Sequence, residues 1–327
     1  MSRDTLTLAK ALNLGLRAAL DNDPKVLLMG EDVGTLGGVF RVTDGLKKDF
    51  GDDRIIDSPL AESGIVGTGV GLAMRGYRPI VEIQFDGFVF PAIDQIVSQV
   101  AKQHARSSGA YTMSMVIRIP FAGGIGAIEH HSESVEAYFA HTAGLRVWSP
   151  SNAHDAYWMI QEAVASDDPI IFCEPKCRYW EKSEVDFAIP APPASAAKVV
   201  AEGSDVTVVT YGPHVHTVLR SRDLAADEGH SLEIIDLRSV APVDLPTIVR
   251  SVEKTGRLVV VSEAPRTASV ASDVVARVTE EAFYSLRAPG LVVSGYHVPY
   301  PPSRIEEDYL PNVDRILDAV DRVMEFE

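Results

Sequence analysis

The chain has 327 residues, 46% of them apolar and 23% charged, with a formal net charge of −16 and two cysteines. That length can bury a substantial core in two domains, and the composition is that of an ordinary globular protein. The negative charge argues against a nucleic-acid surface, and Cys173 and Cys177, with no second pair, cannot complete a zinc site. They read as reduced thiols of a cytoplasmic protein.

At the amino terminus, Met1 to Thr5 leads into an amphipathic run from Leu6 to Leu20 that carries Lys10, Asn13 and Arg17. This reads as neither a signal peptide nor a span, and no later stretch is apolar for long enough to cross a bilayer. Helical patterns then alternate with the β-rich runs Val26–Met29, Ile80–Ile83, Val116–Ile119, Leu145–Trp148 and Ile170–Phe172. Such alternation predicts a parallel sheet covered by helices. Ile189–Ala197, rich in Pro and Ala, suits an extended linker. A second alternating set follows at Val206–Thr210, Leu232–Ile235, Leu258–Val261 and Leu291–Val293. The expectation is an α/β protein of two domains with mainly parallel sheets, residues 1–185 and 204–327, joined by a linker at 186–203.

The sequence from Glu62 to Ala73 places an acid at the mouth of a Gly-rich helix. Pro59 breaks the chain upstream, and the apolar spacing of Ile65, Val66, Val70, Leu72 and Ala73 predicts a helix from Glu62 to Gly76. Gly64, Gly67, Gly69 and Gly71 together cost it about 3 to 4 kcal/mol relative to Ala, so something must approach that backbone closely. Gly64, Gly67 and Gly71 form one smooth stripe against which a helix or a flat ring can lie. Glu62 itself is either an acid complementing the helix dipole or half of a cofactor site. The Gly-x-Gly-x-Gly spacing, preceded by Pro-Leu-Ala-Glu-Ser rather than a buried strand, does not fit a dinucleotide fingerprint. The Glu129-His130-His131-Ser132 cluster lacks both a His-Glu-x-x-His metal spacing and a Gly-x-Ser-x-Gly elbow, which disfavours a metal centre and a hydrolase triad.

With these residues laid out, the chain resembles the β subunit of the thiamine-diphosphate-dependent E1 component of 2-oxo acid dehydrogenase complexes, most closely the branched-chain type. The resemblance is carried by Gly30-Glu31-Asp32-Val33, Gly37-Gly38-Val39-Phe40, Pro59-Leu60-x-Glu62-x-Gly64, Glu82-Ile83-Gln84-Phe85, Pro91-Ala92-x-Asp94-Gln95, His131-Ser132 and Phe172-x-Glu174-Pro175-Lys176. In the second half it is carried by Glu202 to Thr207, Ile235 to Arg238 and Ser262-Glu263-Ala264-Pro265. Two departures stand in that half: Ala268-Ser269-Val270 where relatives usually have Gly-Gly-Phe, and Gly295-Tyr296-His297 where Gly-Tyr-Asp is common.

The resemblance implies a transketolase-like pyrimidine-binding domain followed by a transketolase C-terminal-like domain. It implies that Glu62 hydrogen-bonds the aminopyrimidine ring of thiamine diphosphate and promotes the tautomer in which the cofactor removes its own thiazolium proton. Phe85, read as lying on a strand, would stack near the pyrimidine, Gln84 would line the same pocket, and His131 would face substrate and the incoming lipoyl arm. The chain contains no Gly-Asp-Gly, so the diphosphate and its Mg2+ would be held by an E1 α subunit in an α2β2 heterotetramer, and this chain alone would be inert. An E2 acyltransferase is the further partner implied, docking on the carboxy-terminal domain near Asp318, Asp321, Glu325 and Glu327. As in some family members, K+ would bind backbone carbonyls of Met115, Val116, Ala163, Ser166 and Asp168. The function implied is oxidative decarboxylation of branched-chain 2-oxo acids with reductive acylation of the E2 lipoyl group. The alternatives are a pyruvate or acetoin dehydrogenase subunit, or a noncatalytic partner-binding scaffold.

Overall fold

A computed structural model describes residues 3–326. The strands among them are β1 (Arg3–Thr7), β2 (Val26–Gly30), β3 (Ile55–Asp57), β4 (Arg78–Glu82), β5 (Val116–Phe121), β6 (Arg146–Trp148), β7 (Ile170–Pro175), β8 (Lys182–Asp186), β9 (Lys198–Ala201), β10 (Val206–Thr210), β11 (Leu232–Asp236), β12 (Ser239–Ala241), β13 (Leu258–Val261) and β14 (Leu291–Val293). One sheet has the order β12-β6-β7-β5-β4-β2-β3 and is parallel except for β12. The other runs β14-β13-β10-β11-β9 and is parallel except for β9. β1 and β8 form a separate antiparallel ribbon.

Strands β2, β5 and β7 are buried along their whole length, as expected where helices cover both faces of a parallel sheet. Helices Leu8–Asn22 and Ala153–Ala165 cover one face, contributing Leu12, Leu16, Met159 and Ile160 to its core. They cross closely at Gly15, where a Cβ would stand 2.5 Å from Ile160 Cγ2 and 2.7 Å from the Tyr157 carbonyl oxygen. The helix Glu62–Met74 covers the opposite face through Ile65, Val66 and Ala73. In the second half, Leu245–Thr255 and Val270–Ala282 lie on one face of the sheet and Val215–Asp227 and Val313–Met324 on the other.

The halves are less separate than the alternation of elements suggested. Strand β12 comes from the second half yet pairs with β6 in the first half's sheet, and one core cluster runs from Ile119 and Ile171 to Val209 and Leu237. The segment read as linker contains β9, at Lys198–Ala201, and its Pro-rich part is pinned rather than free. The buried Arg238 guanidinium donates to the carbonyls of Pro192, Pro193 and Ala196 and lies 3.1 Å from Asp155.

Candidate active site

The chain leaves β2 towards β3 on one side and returns to β4 on the other. The carboxyl ends of β2 and β4 therefore open a crevice at a topological switch point, where open α/β sheets bind ligands. Glu31 and Asp32 follow β2, Gln84 and Phe85 follow β4, and Gln84 Nε2 donates across to the Asp32 carboxylate at 3.3 Å.

Glu62 opens its helix as expected, is 6% exposed, and its carboxylate has no hydrogen-bond partner among the described residues. Beside it stands Glu31, a residue that sequence reasoning quoted only as part of a motif. Glu31 Oε2 is buried without a partner. Burial first, then the charges of Asp32 and Glu62, push its carboxyl above the ordinary range. Two carboxyl groups thus stand together at this end of the crevice.

The loop after Glu31 is tied down by Asp57, which accepts from Gly34 N–H at 2.6 Å, Thr35 N–H at 3.0 Å and Lys47 Nζ at 3.0 Å. Burial works against the Asp57 charge, but these bonds outweigh it and lower its pKa to about 2. The loop turns at Gly37, where φ is +80° and a Cβ would stand 2.7 Å from Asp44 Cα. It delivers Phe40 to the edge of Phe85, with centroids 5.3 Å apart.

Phe85 does not lie on a strand, because β4 ends at Glu82; it is the residue before a short 3₁₀ helix, Asp86–Ala92. Its ring stacks on His131 with centroids 4.1 Å apart, and Phe88 meets His131 edge-on at 5.1 Å. His131 Nδ1 lies 2.9 Å from the His130 carbonyl, which can only accept, so Nδ1 carries the proton and Nε2 the lone pair of the neutral ring. Burial first, then the charges of His130 and Lys176, lower the His131 pKa against the His130 carbonyl and Glu129, which favours the neutral ring.

Beneath this cluster lies a fully buried ion pair, Lys176 Nζ to Asp86 Oδ1 at 2.7 Å, that the sequence did not reveal. The other Asp86 oxygen accepts from Glu133 N–H at 2.5 Å, which ties the Phe85 segment to the His131 loop. Burial raises the Asp86 pKa to about 6 even though Lys176 opposes the shift. A second buried set supports the strand ends: Arg118 holds Glu174 through Nε at 2.6 Å and Nη2 at 2.8 Å and pairs with Glu82, while Tyr179 donates to Glu174 at 2.6 Å.

The carbonyls named for a monovalent cation lie at the opposite end of the sheet. Met115 accepts from Ile170 N–H, Ala163 from Ser166 N–H, Ser166 from Arg78 and Asp168 from Ser166 Oγ. Val116 lies alongside them in β5. No group of three or more His, Cys, Asp or Glu residues able to hold a metal ion occurs among the described residues. Cys173 and Cys177 are free, and burial raises both thiols, Cys177 to about 11, so neither is poised as a nucleophile. No helix among the described residues is long and apolar enough to cross a membrane.

Two doubly wound domains with a ligand crevice at the β2/β4 switch define the transketolase class: residues 4–180 match the family described as transketolase, pyrimidine binding domain, and residues 195–316 the transketolase C-terminal domain. A solved structure, "Split gene transketolase, inactive beta4 tetramer", shares the fold with a TM-score of 0.80 at 21% identity over 98% of this chain and 99% of its own. Among curated relatives, the pyruvate dehydrogenase E1 component subunit beta of Leifsonia xyli subsp. xyli is 60% identical over 98% of this chain and 96% of its own length. The 3-methyl-2-oxobutanoate dehydrogenase subunit beta of Mycobacterium tuberculosis is 51% identical over 98% and 92%. The Bacillus subtilis pyruvate dehydrogenase E1 subunit beta is 42% identical over 98% and 99%. Within the transketolase class, the chain belongs to the β-subunit family of 2-oxo acid dehydrogenase E1 components.

Proposed function

We propose that this chain is the β half of a thiamine-diphosphate-dependent E1 enzyme that decarboxylates branched-chain 2-oxo acids and passes the acyl group to the lipoyl arm of an E2 acyltransferase. The observation that carries the reading is the convergence of partnerless carboxylates, Glu62 and Glu31, with the Phe85–His131 stack on the carboxyl ends of β2 and β4. These residues fit the pyrimidine end of the cofactor: a carboxylate for a ring nitrogen and an aromatic edge beside it. They do not fit the diphosphate end, since the sequence has no Gly-Asp-Gly, so an E1 α subunit would hold the diphosphate and Mg2+.

When bound, the cofactor supplies the nucleophilic carbon and the electron sink for decarboxylation. Glu62 would hold the pyrimidine ring through a hydrogen bond at its nitrogen, with the Glu31 carboxyl, raised by burial and by the charges of Asp32 and Glu62, beside it. Phe85, Phe40 and Phe88 exclude water on one side. His131, with Nδ1 committed to the His130 carbonyl and Nε2 free, would take up a proton at Nε2 and donate it to the lipoyl sulfur that leaves as the S–S bond of the dithiolane opens. Leu60, Val39 and Ile128, exposed on the three loops that carry these residues, offer the apolar contacts a branched acyl group needs. The pyruvate reading is favoured instead by the 60% identical relative. K+ at the Met115, Val116, Ala163, Ser166 and Asp168 carbonyls belongs to the same proposal and would show as a potassium-dependent melting temperature.

The test is co-purification with an E1 α subunit and cofactor-dependent decarboxylation of 3-methyl-2-oxobutanoate and pyruvate, each chain alone as control. Activity only in the mixture, preferring the branched acid, is expected. Preference for pyruvate moves the substrate. A well-formed complex that neither binds thiamine diphosphate nor turns over leaves the chain a noncatalytic scaffold.

A further inference from the structure

His131 rides on a loop that leaves β5 at Phe121 and returns at the helix Glu136–Ala140. The neck of this loop is closed once by the backbone, where Ala122 N–H donates to the Glu133 carbonyl at 3.1 Å. It is closed a second time from the other half of the chain. One oxygen, Oε1 of Glu263, accepts from Gly123 N–H at 2.7 Å on the outgoing side and from Ser134 Oγ at 3.1 Å on the returning side. Glu263 follows β13, is 4% exposed, and turns its other oxygen to His214 Nε2 at 3.4 Å. Glu306 takes the next amides along, Gly124 N–H at 2.9 Å and Gly126 N–H at 3.1 Å. Gly123 has no room for a side chain, since a Cβ would stand 1.7 Å from the Tyr300 hydroxyl. A buried carboxylate is a costly acceptor, but charged acceptors make hydrogen bonds roughly twice as strong as neutral ones, which suits a point where one atom must hold two strands of a loop.

We propose that Glu263 is a positioning residue for His131: by tying Gly123 and Ser134 to one carboxylate oxygen, the second half holds the histidine loop of the first half closed over Phe85. The catalytic consequence rests on the role given to His131 above; the closure of the loop does not.

The experiment compares Glu263→Ala, Glu263→Gln and Ser134→Ala in the full chain by amide hydrogen exchange, and in the complex with an E1 α subunit by separate decarboxylation and lipoyl-acylation rates. Gln keeps an oxygen for both donors and Ala does not. In Glu263→Ala, residues 123–134 should exchange about tenfold faster or more, the loss of two charge-assisted bonds, with β2 and β10 unchanged. Ser134→Ala should give a smaller acceleration in the same segment, and Glu263→Gln, which replaces charge-assisted bonds by neutral ones, should restore part of the protection lost in Glu263→Ala. In the complex, lipoyl acylation should fall more than decarboxylation in Glu263→Ala and recover in part in Glu263→Gln. Wild-type exchange of the loop in Glu263→Ala overturns the proposal, as does a Glu263→Gln variant as loose as Glu263→Ala, which would assign the effect to lost charge beside His214. Should Glu263→Ala not fold, Ser134→Ala decides, and an unchanged loop there is the negative result. A wild-type complex inert towards 2-oxo acids defeats the functional reading and leaves loop closure to the exchange data.

Discussion

Glu136 is the clearest case of a charge the fold opposes. It begins the helix Glu136–Ala140, is 2% exposed, accepts from the Tyr211 hydroxyl at 2.6 Å, and leaves its second oxygen buried without a partner. Burial, with a smaller push from Glu263, raises its pKa from 4.5 to about 7 although Tyr211 opposes the shift. The folded protein therefore holds a proton that the unfolded chain releases nearer 4.5. The stability this confers is complete below that pH and is lost as pH rises through about 7. At 1.36 kcal/mol per unit, a rise of about 2.5 units is worth about 3 kcal/mol. Glu136→Gln keeps an oxygen for Tyr211 and carries no charge, so it should be more stable than wild type by about 3 kcal/mol near pH 8.5, with no advantage near pH 4. Urea midpoints followed by tryptophan fluorescence from pH 4 to 8.5 measure this, and titrating groups that do not interact with Glu136 cancel in the difference. A difference that stays constant across that range, or a variant less stable at pH 8.5, would refute the reasoning.

In the complex with an E1 α subunit, Glu62→Gln should keep its fold by circular dichroism and lose about 10²-fold or more in kcat, whereas wild-type turnover would remove Glu62 from the chemistry. Lys176→Met strands Asp86 in the core and should cost about 3 to 5 kcal/mol in urea unfolding; adding Asp86→Asn, which still accepts from Glu133, should recover most of it. The depressed Asp57 pKa contributes stability that is present above about pH 4 and is lost as pH falls through about 2. Discounted for solvent screening, Asp57→Asn should cost about 1 kcal/mol at neutral pH and nothing near pH 2, read by thermal melts. Gly71→Ala meets nothing within 4 Å and should stabilise the isolated chain by up to about 1 kcal/mol, while Gly69→Ala, pressed against the β-branched Val81 Cγ1 at 3.0 Å as well as the mobile end of Met115 at 2.9 Å, should gain less than Gly71→Ala. Gly71→Ala should also weaken assembly with the α subunit, which sedimentation of the mixture would measure.

Each long apolar run in the sequence became a strand, because continuous burial on both faces leaves no polar alternation to confuse the reading. What escaped were elements defined by pairing rather than by composition. Strand β12 exists because Ser239–Ala241 meets β6, and β9 because Lys198–Ala201 meets the edge of β11; neither has apolar periodicity of its own. At the candidate site, Glu62, Gln84, Phe85 and His131 are named through the family motifs in which they stand. The residues that tie the Phe85 segment and the His131 loop, Asp86, Lys176 and Glu263, are separated from their partners by 47 to 140 positions, and no local pattern announces a contact at that range.

The Gly-rich helix shows how a local rule can be right about cost and incomplete about cause. Close approach was expected along Gly64, Gly67 and Gly71, yet within this chain only Gly69 is pressed, against Met115 and Val81, and it lies off that stripe. Gly67 has a loose neighbour in Gln95 and Gly64 only Ala61, at ordinary contact distances, while Gly64 and Gly71 are exposed. Helix propensity alone would replace such residues at no steric cost, with a gain of about 1 kcal/mol each. No contact among the described residues accounts for Gly64 and Gly71 in a helix whose first residue is Glu62. A site assembled between two subunits, as proposed above, would account for it, because the helix would present its Glu62 end to a cofactor and its side to another backbone. The same proposed division would leave this chain with an acid and an aromatic for a ring and no Gly-Asp-Gly for a diphosphate.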